Sequence, residues 1–357
     1  MMNKIKIGNF TVGQKEEPFV IGEAGINHNG EIKKAFDMIE LGKKSDLNAI
    51  KFQTFNADEF ISDTSLTHTY FSQGKKITES QYDMFKRCEF SKEEWYKIKE
   101  KCDKEEILFL STPENRTDLD LLLQIGIPAI KVGSDELINI PLLKYFAKTK
   151  LPIILSSGMS TLDEITKSLN AVGALADYPT ILLVTTSEYP TPSENVNLLK
   201  FKTLVKNFPN IPLGFSDHTQ GVLASSLACA MGACVFEKHF TLNHNLPGPD
   251  HWFSLDPNEL MEWVKSIRIS YIMMGSEEIK PTINEEKIKI LARRSVTALT
   301  DIAKGELFTK ENVGFSRPGN GLQPIMIEKI VGLKAKQRIR KGELIDQNDF
   351  GNANENI

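Results

Sequence analysis

The chain has 357 residues, with 43 Lys and Arg against 47 Asp and Glu, a formal charge of −4. Such mild acidity excludes a general polyanion binder, and no apolar run approaches the ~20 residues of a membrane span, so neither a nucleic-acid nor a membrane partner is expected. A content of 41% hydrophobic and 25% charged residues describes an ordinary globular protein, and the length suggests two domains.

The segment from Met1 to Lys6 is charged and lacks an apolar stretch, so no secretory leader and a cytoplasmic location are expected. Eight short apolar runs then follow: Phe19–Gly25, Ala49–Thr54, Leu108–Thr112, Ala129–Ser134, Ile153–Gly158, Ile181–Thr186, Leu213–Asp217 and Cys234–Phe240. Each reads as a strand buried on both faces. Helical patterns separate them: Ile32–Lys43, Lys92–Lys104, Leu119–Ile125, Pro141–Thr149, Leu162–Val172, Leu198–Phe208, Val222–Met231 and Pro257–Met274. Eight β-α units predict a (β/α)8 TIM barrel rather than an open sheet. The turn after the first strand, Gly25-Ile-Asn-His-Asn-Gly30, is not the glycine pattern of a dinucleotide fold.

Phe55 to Phe90 is too long for an ordinary βα loop and reads as an excursion over the barrel mouth. The stretch from Gly275 to Lys287 is polar and contains Pro281, so it reads as a connection. The expected division is a barrel over 1–280, a linker over 281–293 and a small β-rich domain over 294–357. That last part carries a repeat: Asp301-Ile-Ala-Lys-Gly-Glu-Leu307 returns as Arg338-Ile-Arg-Lys-Gly-Glu-Leu344, which suggests a pseudo-symmetric module. Cys88, Cys102, Cys229 and Cys234 form no CxxC pair and are expected to be free, buried thiols.

Barrel enzymes place their chemistry at the C-terminal ends of the strands. There the runs end in Glu23, Lys51 with Gln53, Thr112, Lys131 with Ser134 and Glu136, Ser156, Ser187 with Tyr189, Ser216 with His218, and Glu237 with His239. Two lysines among hydroxyls suit a phosphate or carboxylate ligand, although either lysine could be a structural ion-pair partner. His218 and His239 lie one βα unit apart and could share a divalent metal or act in acid-base chemistry. His28 sits in a turn and equally suits a loop role, while Pro247-Gly-Pro-Asp250 forms a rigid loop that could carry Asp250 over the mouth.

Several segments together resemble the bacterial sialic acid synthase family: Gly-Glu-Ala-Gly-Ile-Asn-His-Asn-Gly (22–30), Lys-Phe-Gln-Thr (51–54), Ser-Thr-Pro (111–113), Ser-Ser-Gly-Met (156–159), Glu-Tyr-Pro-Thr-Pro (188–192), Gly-Phe-Ser-Asp-His-Thr (214–219), Glu-Lys-His-Phe-Thr (237–241), Gly-Pro-Asp-His (248–251) and Arg-Pro-Gly-Asn-Gly (317–321). The C-terminal module resembles the antifreeze-like SAF domain of these synthases. The resemblance implies condensation of phosphoenolpyruvate with an open-chain N-acetylhexosamine, aided by Mn2+ or Mg2+, to give a nine-carbon 2-keto acid and phosphate. It implies that Lys51, Thr112, Lys131, Ser134, Ser156, Ser187 and Ser216 hold phosphoenolpyruvate. His218 and His239 would ligate the metal, and Glu23 or Glu136 would act on the attacking water. Gln53, Tyr189, Glu237 and Asp250 would bind the acceptor, joined by Arg317 from the other subunit of a domain-swapped homodimer. N-acetylmannosamine is the expected acceptor. A 2,4-diacetamido-2,4,6-trideoxymannose, as in legionaminate synthases, is the alternative, with pseudaminate synthesis behind it. The chain departs from the usual pattern at Glu114, where an aromatic is common, at Val184-Thr185, at Ser187, and in the Gly-Ser-Asp-Glu run at 133–136.

Overall fold

The computed structural model describes residues 3–351. The chain divides into two compact units between Gly275 and Ser276. The first is a barrel of eight parallel strands: Phe19–Gly25, Ala49–Thr54, Leu108–Pro113, Ile130–Val132, Ile153–Ser156, Thr180–Val184, Leu213–Asp217 and Val235–His239. In this numbering the ladder runs 3-2-1-8-7-6-5-4, so the eighth strand pairs with the first. The third and fourth strands pack side by side without a ladder, which leaves the barrel nearly closed, with one seam.

All eight expected strands and the eight expected outer helices form, with ends shifted by up to a few residues. Side chains alternate across each strand. Inward positions near the strand starts hold Ile21, Ala49, Leu110, Ile154, Leu183 and Val235, which form a buried plug. Outward positions such as Phe52, Phe109, Leu155, Phe215 and Phe236 pack under the helices. One feature absent from the expectations is an antiparallel hairpin, Ile5–Ile7 with Phe10–Val12, whose buried Ile5, Ile7 and Val12 join the plug. Its strands are three residues each, too short for an alternation pattern to register.

The excursion after the second strand carries its own structure: a helix Ala57–Phe60, a hairpin Thr67–Ser72 with Lys75–Ser80, and a helix Gln81–Lys86. A small apolar cluster of Ile26, Phe55, Met84 and Cys88, with Phe60 and Phe85 against it, seats it on the mouth. The hairpin also meets the loop after the eighth strand: Gln73 donates to the Asn245 carbonyl at 3.0 Å, Gly248 N–H donates to Ser72 Oγ at 3.1 Å, and Phe71 packs edge-on to Trp252. All four cysteines are free and buried. No helix among the described residues is long and apolar enough to cross a membrane.

The second unit begins differently from expectation. The stretch expected as a linker is largely a helix, Ile283–Ala292, opened by a capping box between Thr282 and Glu285. The signal was present as Pro281-Thr-x-x-Glu285, but the polar residues around it masked it. None of the helix side chains is buried, and Ile283, Ile288 and Leu291 stand exposed. Residues 352–357 of the expected module lie outside the described residues.

The repeat builds the rest of this unit about a pseudo-two-fold axis. Ile302 and Ile339 pair antiparallel and exchange backbone hydrogen bonds of 2.8 and 2.9 Å. The Gly305 N–H reaches the Ala335 carbonyl at 2.7 Å, and the Gly342 N–H reaches that of Ala298 at 2.8 Å. Gly305 and Gly342 have φ of 85° and 87°, the left-handed region where a turn favours glycine. The core holds equivalent residues from both halves: Ala298 and Ala335, Ile302 and Ile339, Phe308 and Ile345.

Candidate active site

Each inward strand face passes from hydrocarbon at the plug to a functional group at the mouth. Ile21 leads to Glu23, Ala49 to Lys51 and Gln53, Leu110 to Thr112, Ile154 to Ser156, and Val235 to Glu237 and His239. These groups line a cavity of about 340 Å3, together with Lys131, Ser134, Ser187, Tyr189, Ser216 and His218.

Its floor is an ion-pair cluster. Lys51 Nζ lies 2.9 Å from Glu23 Oε2 and 3.0 Å from Thr112 Oγ1. Lys131 Nζ donates to Ser156 Oγ at 2.9 Å. Glu237 joins the two halves, 3.9 Å from Lys51 and 3.7 Å from Lys131, and accepts from Ser216 Oγ at 3.1 Å. Gln53 donates to Glu23 at 3.1 Å. Burial would push the Glu237 carboxyl up, but the two lysines and the Ser216 bond hold it below the usual range. Burial raises Glu23 despite Lys51, and Glu237 repels it further. Burial also lowers Lys131, against the pull of Glu237. Ser134 Oγ accepts from Gly158 N–H at 3.0 Å; a Cβ at Gly158 would fall 2.3 Å from Ser187 Oγ and 2.7 Å from Ser134 Oγ. Glycine there lets the backbone and two hydroxyls converge, as an oxyanion cradle needs.

The two histidines face each other above this floor, ring centroids 5.6 Å apart. His218 Nδ1 donates to the Thr186 carbonyl at 2.8 Å, which leaves Nε2 with its lone pair. His239 Nδ1 is buried without a hydrogen-bond partner, 3.8 Å from Asp250 Oδ2. Burial pushes His218 down to about 4, and burial with the neighbouring His218 and lysines pushes His239 well below its ordinary value. Two neutral imidazoles with free nitrogens fit a divalent cation. Tyr189 packs on His218 at 4.2 Å between ring centroids. Asp250, raised by burial to about 7, lines an adjoining cavity of about 350 Å3 with Gln53, Tyr189 and His239.

Most of the expected barrel residues therefore converge, and Glu136 does not. Glu136 does not line the cavity; its carboxylate accepts from Asn139, the cap of helix Ile140–Ala147. Helix capping outbids the cavity for that side chain. Arg317 belongs to the second unit, where its Nε donates to the Ala292 carbonyl at 2.9 Å. Among the histidines outside the site, His28 stacks on Phe90 and His251 bonds Thr241, so both are structural. Six lining residues were missed: Phe60, Phe85, Glu114, Gly133, Asp135 and Met159. Glu114 is buried, and its Oε2 has no partner. Burial, then Asp135 and Glu136, hold its carboxyl well above the usual range. Its departure from the family pattern was the available signal. Phe60 and Phe85 come from the excursion, whose contacts the sequence does not reveal.

Residues 38–279 match the NeuB family and residues 293–351 the SAF domain. The chain belongs to the NeuB family. It is 40% identical to an N,N'-diacetyllegionaminic acid synthase of Legionella pneumophila, over 91% of this chain and 92% of that one. It is 31% identical to the human N-acetylneuraminate-9-phosphate synthase, covering 94% of this chain and 93% of that one. Among solved structures, the N-acetylneuraminic acid synthetase of Leptospira borgpetersenii superposes with a TM-score of 0.72 at 32% identity, over 81% of this chain and 95% of that one. As a NeuB family member the chain is a sialic acid synthase-type enzyme that condenses phosphoenolpyruvate with a sugar.

Proposed function

We propose that the enzyme condenses phosphoenolpyruvate with an open-chain 2,4-diacetamido-2,4,6-trideoxymannose and water, giving N,N'-diacetyllegionaminate and phosphate. The observation that carries this reading is the lysine and hydroxyl cradle beneath two neutral histidines, opening onto a cavity whose lining mixes the apolar Ile26, Phe60, Ile61, Met84 and Phe85 with polar groups such as Gln53, Gln81 and Asp250. The apolar part suits a deoxy methyl group better than a hydroxyl. The higher identity to the legionaminic relative supports the same choice over N-acetylmannosamine.

In this reading Lys51 and Lys131, with Thr112, Ser134, Ser156, Ser187 and Ser216, hold the phosphate and carboxylate of phosphoenolpyruvate by charge-assisted bonds. Gln53, Tyr189, Glu237 and Asp250 orient the sugar so that its aldehyde meets carbon 3 of phosphoenolpyruvate. His218 and His239 would hold a divalent ion, Mn2+ or Mg2+, which would supply Lewis-acid polarisation of the aldehyde. Attack by carbon 3 leaves carbon 2 cationic; water adds there, and the tetrahedral product collapses by C–O cleavage to release phosphate. Glu23, a buried carboxyl with a raised pKa in the cavity lining, would take the proton of that water. Arg317 binds the acceptor's acyl group from the partner of a homodimer. The exposed apolar side chains of helix Ile283–Ala292 give such a partner a surface to cover.

The test is phosphate release from phosphoenolpyruvate with a panel of 2-acetamido and 2,4-diacetamido sugars, products identified by mass. The diacetamido sugar should give the highest kcat/KM. A preference for N-acetylmannosamine would move the assignment to N-acetylneuraminate synthesis, and release with no sugar would overturn both.

A further inference from the structure

The outward faces of the seventh and eighth strands change character at the mouth. The outward pair Phe215 and Phe236 is followed two residues on by Asp217 and Lys238, again ladder partners. Both are buried, and each immediately precedes one of the two histidines.

The Asp217 carboxylate receives four donors. Its Oδ1 accepts from Thr219 N–H at 2.8 Å and Thr219 Oγ1 at 2.7 Å. Its Oδ2 accepts from Ser225 Oγ at 2.6 Å and lies 2.9 Å from Lys238 Nζ. The Asp217-to-Thr219 bond closes an Asx turn with His218 as its middle residue, which fixes the backbone that presents the ring. Lys238 also donates to the Thr219 carbonyl, so the residue before His239 is tied to the same turn. Ser225 in turn accepts from Trp263 Nε1 at 2.8 Å, anchoring the network to the outer helix Pro257–Met274. Among the described residues no hydrogen bond joins the two histidines directly.

A buried ion pair is a poor stabiliser, because desolvation offsets its attraction, and apolar replacements are often neutral. Register and orientation are better reasons for it to sit here. We propose that Asp217 and Lys238 are positioning residues that set the orientation and spacing of His218 and His239, so that both rings present a nitrogen to one divalent cation. The inference rests on the metal reading given under Proposed function.

The test uses the full chain as Asp217→Ala, Asp217→Asn, Lys238→Met and the double variant Asp217→Asn/Lys238→Met. Two readouts apply: Mn2+ affinity by electron paramagnetic resonance, and imidazole 15N spectra of the metal-free protein. Asp217→Ala should weaken Mn2+ binding about tenfold or more. It should also turn the single Nδ1–H tautomer of His218 into an average. Asp217→Asn keeps an acceptor for the turn and should lose less than the alanine variant. If the alanine variant fails to fold, the double variant, which leaves no unpaired charge at these two positions, decides the matter with the same two readouts. Folded variants with unchanged Mn2+ affinity and unchanged imidazole spectra would overturn the proposal. If the unmodified protein binds no Mn2+, the metal reading fails, and the imidazole spectra alone decide the positioning role.

Discussion

The two sides of the barrel mouth are built to different standards. On one side, the eighth strand is laddered to both the first and the seventh, and His218, His239, Glu23 and Glu237 project from that continuous sheet. On the other, the third and fourth strands share no ladder, and the fourth has only three residues. Two of the departures from the family pattern, Glu114 and the Gly-Ser-Asp-Glu run at 133–136, follow these two strands, whereas Val184-Thr185 and Ser187 lie at or just beyond the end of the sixth, laddered strand. The two histidines thus project from continuous ladder, whereas the cradle groups Thr112 and Lys131 come from the two strands at the seam.

Five experiments sharpen that contrast. The largest effect is expected from His218→Ala, which should cut metal-stimulated turnover by about 10²-fold or more while leaving circular dichroism unchanged. A turnover rate within a factor of two of the parent would break the assignment. Lys131→Met removes a charge-assisted donor and leaves Glu237 with one lysine. The KM for phosphoenolpyruvate should rise about 10- to 100-fold, and the thermal midpoint should fall. Arg317→Ala should raise the acceptor KM about tenfold with little change for phosphoenolpyruvate. Deleting residues from Ser276 onward should reproduce that pattern in a folded barrel, and full activity in the truncated chain would exclude a shared site.

The smallest and most diagnostic effect is on the seam side. The Glu114 carboxyl is held above its ordinary value of 4.5 by burial and by Asp135 and Glu136. A group raised in the folded state favours folding most at low pH. That contribution is lost as pH climbs from the ordinary value through the raised one. Glu114→Gln should therefore flatten the decline of the thermal midpoint above about pH 4.5 relative to the parent. Parallel curves for the two proteins would show that Glu114 does not titrate there.

The strand tips were the legible part of the site, Thr112 and Lys131 at the seam included. Apolar runs ending in Lys51, His218 or His239 announce both a buried strand and the polarity reversal at its tip, because the alternation of side chains is a property of the strand itself. Gln53, Ser216 and Glu237 were readable for the same reason. What the sequence concealed depends on contacts between distant segments. Phe60 and Phe85 reach the cavity only because the excursion folds back on Ile26. Glu136 stands outside the cavity lining because its carboxylate accepts from Asn139, three residues on. The helix Ile283–Ala292 was taken for a linker because its apolar residues have no face to bury within the described chain.

The self-pairing of Ile302 with Ile339 has a consequence for how the second unit comes apart. Each half lends its isoleucine, its alanine and one bulky residue to a core that neither can assemble alone. A half-length peptide is too small to bury an interior by itself. Loss of either half should therefore melt the other, and the unit should unfold in one cooperative step with no half-ordered intermediate.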